Sequence, residues 1–318
     1  MKKLFGLFLL ALACWAPDVA QAANRWAVCA TTCTWDNTST AMWSSVGSGG
    51  ATGASAPVAG DDVILDGATC VGGTTCTITT FAGTISAASI TWGACTASTT
   101  GCIIAANTNN TNFTLSSSTA FVFSGTGTGT RKWTAGTGTY ALTSTNAFNG
   151  CFTMATITND QGSTFNSATW TCSGTIGNNN PRSWNGGGFS FGPTTFNANT
   201  SRGSMQISGT NTFSSLTIGA PNNIVLSATQ TISGSLTISG SSSSNPINIS
   251  ANSIDGAQTL SLGSASSADW LTIRGITLSG VGVLSATNCL NLGYVTLNGG
   301  TCAAPAGGGG GGGRIIGG

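Results

Sequence analysis

Along most of the chain, apolar and polar residues alternate one by one. Thr77-Ile78-Thr79, Ser89-Ile90-Thr91-Trp92, Phe113-Thr114-Leu115 and Phe121-Val122-Phe123 all follow this rhythm. A period of two puts the apolar side chains on one face of an extended strand, and clusters of Gly, Asn and Ser between the runs supply turns. No apolar stripe at helical spacing lasts three turns, and helix formers other than Ala and Leu are scarce. The pattern predicts an all-β fold of many short strands.

The second half repeats itself. Ser215-Leu216-Thr217-Ile218 recurs as Ser235-Leu236-Thr237-Ile238, and Trp270-Leu271-Thr272-Ile273 is a third copy. Ile276-Thr277-Leu278 and Val295-Thr296-Leu297 are looser versions. Each unit turns apolar residues to one face and Thr to the other, with Gly or Ser soon after, where the chain turns a corner. A period of about twenty suits a β-solenoid, whose stacked coils bury a continuous core. A β-sandwich also uses short strands at regular spacing, but repetition over several units favours the solenoid. The expectation is a right-handed parallel β-helix over residues 70–305, after an N-terminal Trp-rich β cap over 23–69.

That cap segment carries Trp26, Trp35 and Trp43, expected in a hairpin. The first coil of a solenoid needs cover because an open strand edge recruits other chains. The same three tryptophans are candidate glycan contacts if their faces are exposed in a row.

Residues 1–22 read as a cleaved export signal. Lys2 and Lys3 precede an apolar run from Leu4 to Trp15, and Ala20-Gln21-Ala22 gives the small-x-small pattern of a cleavage site before Ala23. The run is shorter than the roughly 20 residues that span a bilayer, and nothing later reaches that length. Ten cysteines remain after Cys14, and in an exported chain an even number reads as disulfides. Sequence neighbours give the expected pairs: Cys29 with Cys33, Cys70 with Cys76, Cys95 with Cys102, Cys151 with Cys172, and Cys289 with Cys302. Zinc is disfavoured, since the chain has no Cys-x-x-Cys and no His.

Charge narrows the function classes. Only 5% of residues are charged, every acid is Asp, and His is absent. Without residues 1–22 the seven basic and seven acidic residues balance, so no field steers the chain toward nucleic acid. Recurrent Ile, Val, Thr, Phe and Trp separate it from disordered chains of similar polarity. Residues 306–318, with Gly307 to Gly313, are expected to form a flexible tail.

The absence of His excludes Ser-His-Asp and Cys-His catalysis in their ordinary forms. The one acid cluster is Asp61, Asp62 and Asp66. On a straight strand Asp61 and Asp62 face opposite ways, and Asp62 and Asp66 stand about 13 Å apart. Paired glycosidase carboxylates need about 5–9.5 Å. A turn at Gly60-Asp61 would bring two together, in which case Ca2+ is the candidate ion; otherwise these residues end a turn before Val63-Ile64-Leu65. Asp36, Asp160, Asp255 and Asp269 are scattered. Arg182, Arg202 and Arg274 are the residues on which a lyase would have to rest. Arg131-Lys132-Trp133, the sole basic cluster, reads as a solvated loop, and Gly125 to Thr130 lacks the Lys of a phosphate loop. Thr-x-Thr pairs such as Thr137-Gly138-Thr139 are reminiscent of ice-binding solenoids, but their spacing along the chain is irregular. No catalytic or cofactor-binding residue is expected.

The run Arg25-Trp26, Thr34-Trp35-Asp36, Trp43-Ser44, Gly49-Gly50-Ala51, Gly60-Asp61-Asp62-Val63 and Asp66 resembles the opening of repeat-rich β-helix proteins of bacteria and their phages. Asn211-Thr212-Phe213-Ser214-Ser215-Leu216-Thr217-Ile218-Gly219-Ala220-Pro221-Asn222 resembles their coil repeat. The resemblance covers most of the chain after the signal and implies a surface, fibre-like or virion-associated setting. It brings no catalytic residues with it, and the export signal departs from a tail protein assembled in the cytoplasm. The expectation is a non-enzymatic secreted or cell-surface protein with a structural or adhesive role and a glycan or protein partner at a cell surface, compatible with homo-oligomers. A polysaccharide lyase or hydrolase and a passive glycan-binding module are the competing expectations.

Overall fold

A computed structural model describes residues 22–66, 69, 76–93, 102–117, 120–124, 131–143, 151–154, 164–176, 182–200, 204–219, 223–244, 246–252, 258–292 and 298–304. They are all-β: 27 strands in one 23-stranded and one 4-stranded sheet, with a single short 3-10 turn at Ala106–Thr108. Among the described residues every strand pair is parallel except Asn24–Ala27 with Trp43–Ser44. Parallel neighbours need a long connection between them. Here that connection is the rest of one circuit of the chain.

The strands fall into three ladders, visited in a fixed order. The first holds Asn24–Ala27, Asp62–Leu65, Ser89–Trp92, Phe121–Phe123, Phe152–Met154 and Arg182–Asn185. It continues through Ser204–Ser208, Asn223–Leu226 and Ile247–Ala251 to the far halves of Ser266–Arg274 and Leu284–Asn291. The second opens with Thr32–Trp35, Cys76–Thr80, Cys102–Ala105 and Arg131–Thr134, and bridges Thr134↔Thr164 and Phe165↔Phe191 carry it on. It ends in Gln230–Ile232, Gln258–Leu262 and Ile276–Gly280. The third begins at Thr84–Ala87 and runs through Asn112–Leu115, Thr139–Thr143, Thr169–Ile176 and Leu236–Ser239 to Thr301–Cys302.

Measured on the first ladder, the circuits after Arg182–Asn185 are shorter than those before it, and the core changes with them. Ile90, Phe121 and Phe152 stack in register 31 residues apart, whereas Ile273 and Asn291 are 18 apart. The long circuits are filled by three columns of stacked rings. Phe121, Phe152 and Trp184 lie 5.4 and 5.1 Å apart, Phe113, Tyr140 and Trp170 4.8 and 4.2 Å, and Phe165, Phe191 and Phe213 5.6 and 5.8 Å. The columns meet edge to face, as Phe152 does with Trp170 (86°) and Phe191 (85°). The short circuits need less filling and use aliphatic columns such as Ile224, Ile249 and Ile273.

Three expectations change. Trp26, Trp35 and Trp43 do not share a hairpin: Trp26 lies in the first ladder and Trp35 in the second, and only Trp43 belongs to an added strand. That strand covers the outer edge of Asn24–Ala27, while Asn37 Nδ2 donates to Thr84 O on the third ladder at 3.0 Å. Arg131-Lys132-Trp133 is a strand and not a loop, because Trp133 packs inward. The repeat is also less simple than its wording. Leu216 and Leu236 do stack, but Trp270-Leu271-Thr272-Ile273 crosses into the first ladder, where Leu271 pairs with Ile247. Apolar-Thr-apolar is the need of any ladder and does not mark one place in the circuit. Val295-Thr296-Leu297 and residues 306–318 lie outside the described residues.

Candidate functional site

The inward positions of each ladder hold the core, so any contact surface is made by the residues between them. On the third ladder these form one column: Ser86, Thr114, Ala141, Thr171, Thr195, Thr217, Thr237, Ser267, Ser285 and Thr301. Nine of the ten positions carry a hydroxyl, and all ten are half-buried or exposed. The second ladder repeats the arrangement with Thr34, Thr79, Ala105, Thr134, Thr164, Ser190, Thr212, Thr231, Ser261 and Ser279. Adjacent strands are about 4.8 Å apart, so the hydroxyls of each ladder stand in a single file at that spacing. Thr suits these positions because its branched Cβ fits a pleated surface and its hydroxyl keeps the face wet without charge. The first ladder is mixed, with Ile64, Thr91 and Val122 in one outward column.

Apart from Thr217 and Thr237, which the repeat relates, the columns are not visible in the sequence. Successive members of the third-ladder column are 16 to 30 residues apart, because the connections vary in length while the register does not. A strand-by-strand reading sees only irregular Thr-x-Thr pairs.

The expected aromatic platform is corrected. Trp35 and Trp43 are wholly buried and meet edge to face at 5.2 Å, which leaves no face for a sugar; Trp26 is half-buried. Sequence reading missed Trp270. It is half-buried and has φ 50°, a conformation unusual for a bulky residue, at the corner between the third and first ladders. Asn288, the corner residue of the next circuit, shares φ 50°, and its Nδ2 donates to Asp269 Oδ1 at 2.8 Å. Trp270 N and Thr287 Oγ1 donate to the same oxygen at 3.0 Å each. The Asn288 amide leads in holding the Asp269 carboxyl below the usual carboxylate range; desolvation opposes it, and the Thr287 and Trp270 donors add to the lowering.

Asp36, Asp61 and Asp62 are each taken up locally. Asp36 accepts from the backbone N–H groups of Thr38 and Ser39. Desolvation raises its carboxyl, but those donors outweigh it and the net shift is downward. Asp61 faces inward and Asp62 outward, where Asp62 accepts from Ser89 Oγ at 2.5 Å. Among the described residues no three His, Cys, Asp or Glu side chains converge. Asp66 is half-buried at the end of its strand. Arg274 is exposed; Asp160, Asp255, Arg202 and Gly125 to Thr130 lie outside the described residues, as does the Arg182 side chain.

Cys29 is bonded to Cys33, Cys151 to Cys172 and Cys289 to Cys302. Cys76 and Cys102 are also disulfide-bonded, and their expected partners, Cys70 and Cys95, lie outside the described residues. The second and third bonds each tie a first-ladder segment to the third ladder of the same circuit, and Cys151 and Cys172 are wholly buried. Among the described residues no helix is long and apolar enough to cross a membrane. No protein-family model, curated protein or solved structure matches this chain.

Proposed function

We propose that the chain is an exported right-handed parallel β-solenoid with a structural or adhesive role at a cell surface, in the manner of bacterial or phage-borne fibre proteins. Its working surface is the pair of hydroxyl columns. The fixed order of the ladders supports winding in one sense, and crossovers between parallel strands are almost always right-handed. Buried disulfides and the leader at 1–22 support an oxidising compartment. The observation that carries the functional reading is the third-ladder column, ten strands in unbroken register with a hydroxyl at nine positions. Such a column suits a neutral, hydroxyl-rich partner such as a surface glycan, because its own members offer many hydrogen bonds and carry no charge.

The test is binding of the folded protein to insoluble neutral polysaccharides and cell envelopes. Thr195→Glu combined with Thr237→Glu is expected to reduce binding at least tenfold with the circular dichroism spectrum unchanged. Wild-type binding is expected to be insensitive to salt, since no ion pair is involved. Binding unaffected by the two charges would overturn the reading. The even spacing of each column favours one alternative, an ice-binding face, which thermal hysteresis or inhibition of ice recrystallisation would reveal. A polysaccharide-degrading enzyme, the other competitor, would release reducing or unsaturated ends from the same substrates.

A further inference from the structure

We propose that cleavage between Ala22 and Ala23 creates a structural ion pair, in which the new α-ammonium group of Ala23 closes on the buried carboxylate of Asp61. The inference rests on the export reading above and concerns what processing does to the fold.

In the uncut chain the backbone N–H of Ala23 donates to Asp61 Oδ1 at 3.0 Å, and Asp62 N donates to Ala23 O at 3.0 Å. Ala23 is thus fixed from both sides, while Ala22 before it is exposed. The Asp61 side chain is 3% exposed. A carboxylate so far from water needs strong donors. Val58 N reaches Oδ2 at 3.2 Å, and Arg25 Nε lies 3.3 Å from the same oxygen without alignment for a hydrogen bond. The Arg25 guanidinium donates instead to Ser55 Oγ at 3.1 Å. Oδ1 is therefore held by one neutral amide, and that amide is the group which hydrolysis of the Ala22–Ala23 bond converts to an amine, protonated at neutral pH. Both partners of the hydrogen bond are then charged, without movement of the backbone.

The charged groups facing the new terminus are Arg25 on its own strand, Asp61, and Asp62 on the neighbouring strand opposite Asn24. With the ammonium, two cations meet two anions. A free α-amino group has an ordinary pKa of about 8, and the Asp61 carboxylate raises it in the folded chain. A raised folded value means that the stabilisation is complete below pH of about 8 and is lost as pH climbs through the raised value.

The experiment compares three forms of the chain from residue 23 onward: free Ala23, Nα-acetylated Ala23, and one Gly placed before Ala23. At pH 7 the free form is expected to have an unfolding equilibrium constant about tenfold smaller than the other two, the scale of a charge-assisted hydrogen bond. The gap is expected to close above pH 10. Asp61→Asn should level all three forms, and if that variant does not fold, the comparison of free with acetylated chain still decides. N-terminal sequencing of exported protein is expected to begin at Ala23. Equal stability of the three forms, or an exported chain beginning elsewhere, overturns the inference while leaving export intact. Retention of the uncut chain inside the cell instead overturns the export reading on which processing rests.

Discussion

The indole N–H of Trp133 donates to the phenol oxygen of Tyr140 at 2.9 Å, and both side chains are wholly buried. One comes from the second ladder and the other from the third, so this bond crosses the interior of a single circuit. Tyr140 is also sandwiched between Phe113 and Trp170, at 4.8 and 4.2 Å. Tyr140→Phe should keep the stack but leave a buried donor unpaired, at a cost of about 1–3 kcal/mol in urea unfolding. The double variant with Trp133→Phe should lose less than the sum of the two single variants, because the pair is coupled.

The same burial pushes the Tyr140 phenol far above its ordinary range and outweighs the Trp133 hydrogen bond, which opposes it. Below pH of about 10 the phenol is protonated in both folded and unfolded chains and has no effect on the balance. Above it the unfolded chain releases a proton that the folded chain keeps, so stability falls as pH rises. Ultraviolet titration should show Tyr140 ionising only together with unfolding.

Gly192 stands where the second ladder turns into the third, and a Cβ there would lie 2.0 Å from the carbonyl oxygen of Ala168 in the preceding circuit. Backbone cannot retreat as a side-chain tip can. Gly192→Ala is expected to destabilise by roughly 1–3 kcal/mol through overpacking, and Gly49→Ala, with open space around it, to leave the unfolding midpoint unchanged.

Removing the bond between Cys151 and Cys172, 21 residues apart in sequence, releases a closed loop of the unfolded chain. Cys151→Ala with Cys172→Ala should cost about 3 kcal/mol by the loop-entropy relation. Being buried, the bond should resist mild reductant in the native state and yield only as the chain unfolds; labelling of free thiols after brief reduction measures this.

Inward and outward positions of one strand should differ sharply in their tolerance of substitution. Ile218→Ala removes a side chain 2% exposed and is expected to cost about 2–5 kcal/mol. Thr217→Ser, next to it on the hydroxyl column, should stay within about 0.5 kcal/mol. Thermal melts of the two variants provide the comparison.

How far the sequence reveals this arrangement depends on the range of the information. The strands at 76–80, 89–92, 112–115 and 121–123 were legible because alternation is local, and Leu216 stacks on Leu236 because that connection happens to match the apparent period. The fate of Trp35 and Trp43 was not legible. Aromatic residues near a terminus can cover a core or face a ligand, and only the edge-to-face contact between them shows which. The hydroxyl columns were mostly hidden for a different reason: their members are neighbours through pairings that skip 16 to 30 residues, and only Thr217 and Thr237 fall in matching repeats. Trp270 was read as one copy of a repeat, and its φ of 50° arises from the circuit it closes.

The variable connections have a consequence for how such a surface changes over generations. A residue inserted between two strands alters the outline of one circuit and leaves every rung of the columns in place. The exposed face is therefore buffered against insertions and deletions that would scramble a site assembled from loops, and lineages can diverge widely in length and wording while presenting the same rows of hydroxyls to the outside.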